Sequence, residues 1–250
     1  SIGFDQANAL NETAKDYPDQ DFAIVDMVVD QPNIASLVFD EHEGSALVGA
    51  IAGLMTETDK IGFIGGLDIP LINKFAAGYV FGANYTNLGI NATVAYTGDW
   101  VDTTAGQNLA DGMYAGGTDI IFAAAGRSGL GVFTSAKNNN DTYSYPLWVI
   151  GVDSPQMYLG CEDPDNPEPP TVGLTSMLKR VDNAVYQTIK SKVEGTFEAG
   201  IQVFNLANGG LDFEINEDLL ELPDDVITAA EDLRDDIIAG DVEVPSAIYW

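Results

Sequence analysis

Three aspartates, Asp5, Asp26 and Asp153, each close a short apolar run: Ser1-Ile2-Gly3-Phe4, Phe22-Ala23-Ile24-Val25 and Leu147-Trp148-Val149-Ile150-Gly151-Val152. Carboxylates at strand ends accept hydrogen bonds from hydroxyl groups, whereas an anionic ligand would call for an arginine fork. Asp26 reads equally well as a residue that caps its own loop. Trp100, in Gly98-Asp99-Trp100-Val101-Asp102, is either a lid on the core or a stacking surface for a flat ring. Together these residues suit a neutral, hydroxylated small molecule. Catalysis has no comparable support. The one histidine, His42, stands beside acids at a helix start and reads as exposed, and the one cysteine, Cys161, has no CxxC spacing around it. GxSxG, a Walker sequence and a complete GxGxxG are all missing, and among 39 acidic residues chance carboxylate pairs carry no weight. No enzymatic activity, cofactor or metal is therefore expected.

The elements that must hold these residues share one grammar. Ile120 to Ala125 is continuously apolar, as suits a strand covered on both faces in a parallel sheet. It stops at Gly126, and Leu130, Val132 and Phe133 restart as a helix. Lys60 to Gly66 leads likewise into a helix over Asn73 to Asn84, and Leu147 to Asp153 into Ser154-Pro155-Gln156. Strands ending in glycine or aspartate place their turns at the carboxyl edge of an open α/β sheet, where ligands bind. Helices are expected over Ala7 to Lys15, Glu41 to Leu54 and Thr104 to Ala115. The small residues Gly44, Gly49 and Gly53 of the second would let it pack closely on a sheet. Pro32 to Phe39 reads as an extended connector, and Tyr158 to Thr171 as an exposed acidic excursion carrying Cys161. Thr175 to Arg180 reads as the opening of an amphipathic helix reaching Val193. There Lys179 and Arg180 oppose the helix dipole, so another group should hold them. Ile201 to Leu206 and Leu211 to Ile215 resemble a hairpin through Asn208-Gly209-Gly210. An acidic helix spans Leu219 to Ile238, interrupted near Pro223, and the chain closes on Tyr249-Trp250.

Charge narrows the partners. With 39 Asp plus Glu against 10 Lys plus Arg, the net charge is -29. Nucleic acid and anionic lipid are bound chiefly through Lys and Arg, so both are set aside. The acid is spread along the chain and lysine is scarce, a pattern that suits concentrated salt, where repulsion is screened to a few ångströms. No run approaches the ~18 apolar residues of a membrane span.

Five ordered motifs add a resemblance: Phe39 to Ser45, Ile61 to Pro70, Ala124 to Gly126 with Gly129 to Phe133, Gly151 to Ser154, and Leu174 to Asp182. Together they resemble the basic membrane protein family of substrate-binding lipoproteins, of the purine nucleoside receptor type that serves ABC importers. The resemblance implies a type I periplasmic-binding-protein fold, with two doubly wound parallel-sheet lobes closing about a hinge on a nucleoside. Its lobes fall on residues 1–44 with 174–205 and on 45–173, with 206–250 as closing strands and a terminal helix of open assignment. It implies ring stacking by Trp100, ribose binding by Asp153, a helix-start lysine at Lys179 and a loop glycine at Gly126. Phe4, Asp5 and Asp26 follow by analogy with the fold. The family's Gly-Gly-Thr-Gly loop is Gly126-Arg127-Ser128-Gly129 here, which points a bulky cation either toward the site or away from it.

The implied partners are a nucleoside and an importer permease, with a lipid anchor upstream as the link to the outer face of the cell membrane. The first lobe is expected to lack several strands of the family pattern. A cytoplasmic ligand-sensing regulator of the same fold is the alternative. If salt adaptation is right, unfolding monitored against KCl concentration will show a midpoint that rises steeply with salt; equal stability in dilute buffer would refute it.

Overall fold

Among residues 1–247, which the computed structural model describes, the apolar runs fold as nine strands and seven α-helices; Tyr249-Trp250 lies outside the described residues. In chain order these are α1 (Ala7–Asp16), β1 (Phe22–Val25), β2 (Ile34–Phe39), α2 (Glu41–Met55), β3 (Lys60–Gly65), α3 (Pro70–Thr86), β4 (Asn91–Tyr96) and α4 (Thr103–Ala115). There follow β5 (Ile120–Ala124), α5 (Leu130–Asn139), β6 (Trp148–Asp153), β7 (Gly173–Lys179), α6 (Val181–Glu194), β8 (Gly200–Phe204), β9 (Leu211–Phe213) and α7 (Asp224–Ala239). The chain forms two α/β units. One comprises residues 1–40 and 179–211, the other residues 41–178 and 212 onward.

The first unit has a parallel sheet in the order β1-β2-β8. Its central strand is β2, where a connector was expected. Ile34, Ala35, Ser36, Leu37 and Phe39 are buried, and Ala35 and Ser36 dilute the apolar signal without leaving the core. Helix α1 packs Ala7 and Ala14 against Ile24, Val29 and Ile34. The buried Asn33 amide lies 2.9 to 3.1 Å from the carbonyls of Ala14, Tyr17 and Gln20, closing the turn after that helix.

The second unit has a six-stranded sheet in the order β4-β3-β5-β6-β7-β9, parallel from β4 through β7. Alternate residues serve opposite layers, as the two-residue period of a strand requires. Phe122 meets Phe63 and Tyr79 at centroid distances of 5.5 and 5.4 Å, on the α3 side. Ile121 and Ala123 join Ala110, Met113, Val132 and Phe133 of α4 and α5. At the amino end of β5, buried Asp119 accepts hydrogen bonds from Thr56 Oγ1 and from the amides of Glu57 and Thr58, tying down the turn before β3. Burial pushes its carboxyl above the usual range, and those hydrogen bonds pull the other way.

Several expectations are corrected. Gly49 and Gly53 admit helix α3 rather than the sheet: a Cβ on Gly49 would lie 2.2 Å from the Tyr79 carbonyl oxygen. Gly173–Lys179 is strand β7, and α6 begins only at Val181. The polar pair Thr175 and Ser176 is satisfied in the sheet by distant Glu214, a partner no local pattern announces. The Asn208-Gly209-Gly210 turn exists, but its flanking strands form no hairpin: β8 pairs with β2 in one sheet and β9 borders β7 in the other. His42 is half-buried, and Cys161 is fully buried against Met157 and Leu219 although Glu162 and Asp163 beside it are exposed.

Two glycine substitutions separate packing from propensity. In Gly82→Ala the new Cβ would sit 1.9 Å from the Ala46 carbonyl oxygen, and a loss of about 3 kcal/mol is expected from such overpacking. In Gly112→Ala, on α4, nothing lies within 4 Å, and a gain of about 1 kcal/mol in helix propensity is expected. Equilibrium urea unfolding checks both.

Candidate functional site

The carboxyl ends of β4, β3, β5 and β6 lie side by side because the strands are parallel. Trp100 sits in the loop after β4, half-buried over two glycines from the neighbouring strand ends. A Cβ on Gly66 would penetrate the indole, at 2.3 Å from Cζ3; one on Gly126 would lie 3.4 Å from Cε3 and 3.2 Å from the Trp100 carbonyl oxygen. Gly126 also has a φ of +56°, which a side chain would disfavour. The indole is thus seated on backbone. Its loop is tied down as well: Ser128 N donates to Trp100 O at 3.2 Å, and Ser128 Oγ and Thr97 Oγ1 donate to Asp99 O at 2.8 and 2.6 Å. A flat, braced aromatic with little freedom left to lose makes a good stacking platform.

Asp153 ends β6, exposed, with a φ of +66°. Asp26, after β1 in the first unit, has a φ of +70°. An ordinary residue loses ~1–2 kcal/mol in this left-handed region, and aspartate tolerates it better than most. Of the three non-glycine residues with positive φ among the described residues, two are the strand-end aspartates singled out from the sequence; the third, Asp59, lies just before β3.

In the first unit Asp26 accepts a hydrogen bond from Lys179 Nζ. The ammonium also lies 4.8 Å from the centre of the Phe39 ring, and the lysine is 6 % exposed. Phe39 in turn packs on Phe204 at 5.3 Å. Lys179 is therefore held by a carboxylate and an aromatic face, the job its sequence position called for, from the end of a strand rather than a helix start. Phe4 and Asp5 belong to a 3-10 turn, Phe4–Gln6, that follows the bridge between Ile2 and Val25. This puts the turn beside the strand end that carries Asp26. Asp5 is exposed, as is Arg127 on the turn Gly126–Gly129.

Residues 1–247 match the family described as ABC transporter substrate-binding protein PnrA-like. The chain belongs to this family. It is 37 % identical over 249 residues to the ABC transporter nucleoside-binding protein BmpA of Lactococcus lactis, spanning 98 % of this chain and 70 % of that protein. It is 36 % identical over 247 residues to the CD4+ T-cell-stimulating antigen of Listeria monocytogenes, spanning 98 % of this chain and 69 % of the antigen. The crystal structure of an ABC transporter solute-binding protein from Aeropyrum pernix superposes with a TM-score of 0.82 at 28 % identity, covering 98 % of this chain and 76 % of that one. The fold is thus the type I periplasmic-binding-protein fold, and the role of the family is substrate binding.

Each unit brings part of the predicted set together. Trp100 and Gly126 meet in the second unit, with Asp153 at the strand end beyond, and Lys179 and Asp26 pair in the first. Gly66 and Phe39 were not assigned site roles from sequence, because a glycine's value lies in what it admits and Phe39 closes a stretch that reads as an extended connector. The Asp26–Lys179 pair predicts its own test. Asp26→Asn keeps a residue that tolerates positive φ but removes the charge beside a buried ammonium, and should cost about 2 kcal/mol in urea unfolding. Adding Lys179→Met should recover most of that loss.

Proposed function

We propose that this protein is the ligand-capturing component of an ABC importer and that its ligand is a nucleoside, with purines favoured. It works outside the cytoplasm, tethered to the membrane by a lipid anchor upstream of Ser1, and delivers its ligand to a permease. The observation that carries the reading is the Trp100 indole seated on Gly66 and Gly126 at the edge where Asp153 also ends its strand. A flat base stacks on an indole, and ribose hydroxyls donate to carboxylates. The relative named as a nucleoside-binding protein supports the same ligand class.

The charges argue for a nucleoside over a nucleotide. Lys179 is already matched by Asp26, so it is poorly placed to neutralise a phosphate. On this reading there is no chemical step: differential affinity for one conformation of the receptor does the work.

Calorimetry in molar KCl with inosine, guanosine, adenosine, GMP and free ribose tests the proposal. Nucleosides should release heat, GMP should bind far more weakly, and Trp100→Ala should weaken guanosine binding by about 10- to 100-fold, the worth of one stacked base. Heat from none of the nucleosides would remove the nucleoside reading.

A further inference from the structure

Glu214, immediately after β9, is 6 % exposed, and besides satisfying Thr175 and Ser176 it reaches the turn after Asp153. Its carboxylate oxygen Oε2 accepts from Ser176 Oγ at 2.7 Å and from two successive amides, Gln156 N at 2.9 Å and Met157 N at 3.2 Å. Its own backbone is pinned too, with the amide donating to Ser176 O at 2.9 Å and the carbonyl accepting from Thr175 Oγ1 at 2.7 Å. Burying a carboxylate is costly unless it is hydrogen-bonded, and here Oε2 gathers the Ser176 hydroxyl and the two amides that leave the Asp153 turn.

The turn is closed from its other side by Gln156, whose Oε1 accepts from Val152 N at 2.9 Å. Ser154 N donates back to Val152 O at 2.8 Å. Gly151 leaves room for this arrangement, since a Cβ there would lie 2.5 Å from Ser176 Oγ and 2.6 Å from Gln156 Cβ. Asp153, Ser154 and Pro155 are exposed, while the residues that clamp them are half-buried or buried.

We infer that Glu214 is a positioning residue for Asp153: by gripping the amides of Gln156 and Met157 it fixes the turn in which Asp153 holds its left-handed backbone and presents its carboxylate to ligand hydroxyls. The inference rests on the nucleoside reading, and adds that hydroxyl selectivity depends on a buried carboxylate that never touches the ligand.

The test compares guanosine with 2′,3′-dideoxyguanosine by calorimetry. Wild-type protein should prefer guanosine by about 100-fold or more, because a site built around ribose hydroxyls rejects an analogue without them. Asp153→Asn gives the floor of that preference. In folded Glu214→Leu the preference should fall about tenfold, through weaker guanosine binding, with dideoxyguanosine affinity unchanged within about threefold. Glu214→Gln keeps a carbonyl acceptor and should retain most of the preference. Should Glu214→Leu fail to fold, Glu214→Asp takes its place: it draws the carboxylate back by one methylene from the two amides and leaves in place the bond from Gln156 N to Ser176 Oγ, and a reduced preference there supports the inference. A full preference in Glu214→Leu, or in Glu214→Asp where Glu214→Leu does not fold, or an equal loss for both ligands, overturns it. Wild-type protein that binds guanosine without preferring it also overturns the inference but spares the nucleoside reading. Wild-type protein that binds neither ligand removes the reading, and the inference with it.

Discussion

In the second unit, helices meet backbone to backbone, and that closeness exists only where a side chain's first carbon is missing. A Cβ would lie 2.0 Å from the His42 carbonyl oxygen at Gly78, 1.9 Å from that of Ala46 at Gly82, and 1.9 Å from that of Thr103 at Gly131. The first two bring α2 and α3 together, and the third brings α5 onto α4. Close-packed interiors leave no slack to absorb an added methyl group. The layers over the sheet are therefore drawn in tightly, and the same device recurs at the sheet edge, where Gly66 and Gly126 let the indole of Trp100 settle onto the strand ends. Packing and candidate binding surface thus rest on one constraint, applied to carbonyls in one place and to an aromatic ring in the other.

Charge is handled differently. The cations are few, and most engage an oxygen: Lys74 pairs with Glu41, Lys179 with Asp26, Lys192 with Asp21 and Arg234 with Asp212, while Lys60 and Lys137 donate to backbone carbonyls. The acidic surplus is left largely to the solvated surface, as along α7, where Asp225, Glu231 and Asp232 are exposed. Mutual repulsion among such groups opposes compaction and is relieved by counterions. Among the described residues Lys179 is the buried cation, and it is matched by a carboxylate, so the fold keeps its charge imbalance at the surface.

Much of this was legible from the chain. The continuous apolar run before Gly126 gave a buried parallel strand, Asp26 and Asp153 after short runs gave strand ends whereas Asp5 falls in a 3-10 turn after a lone bridge, and the misplaced charge of Lys179 pointed to a partner, which is Asp26. What escaped was non-local. Strand β7 was hidden because Thr175 and Ser176 are polar, and their satisfaction comes from Glu214, almost forty residues away. The turn at Asn208 to Gly210 was visible from composition, but not that its two flanking strands join separate sheets, since a turn signal says nothing about pairing partners. Gly66 showed as a strand terminus, yet its use as a seat for Trp100 depends on a loop some thirty residues on.

The glycine contacts also bear on how such a sequence can change. Every amino acid reached from a glycine codon by one base substitution carries a Cβ, so at Gly78, Gly82 and Gly131 each such step drives an atom into a neighbouring carbonyl. These positions are closed to gradual drift unless the facing helix retreats at the same time. At Gly66 the obstruction is the Trp100 ring, which a smaller aromatic could relieve. Variation at that glycine is therefore coupled to the residue that faces it, and the strand-end surface can diverge along that pair while the helix layers stay frozen.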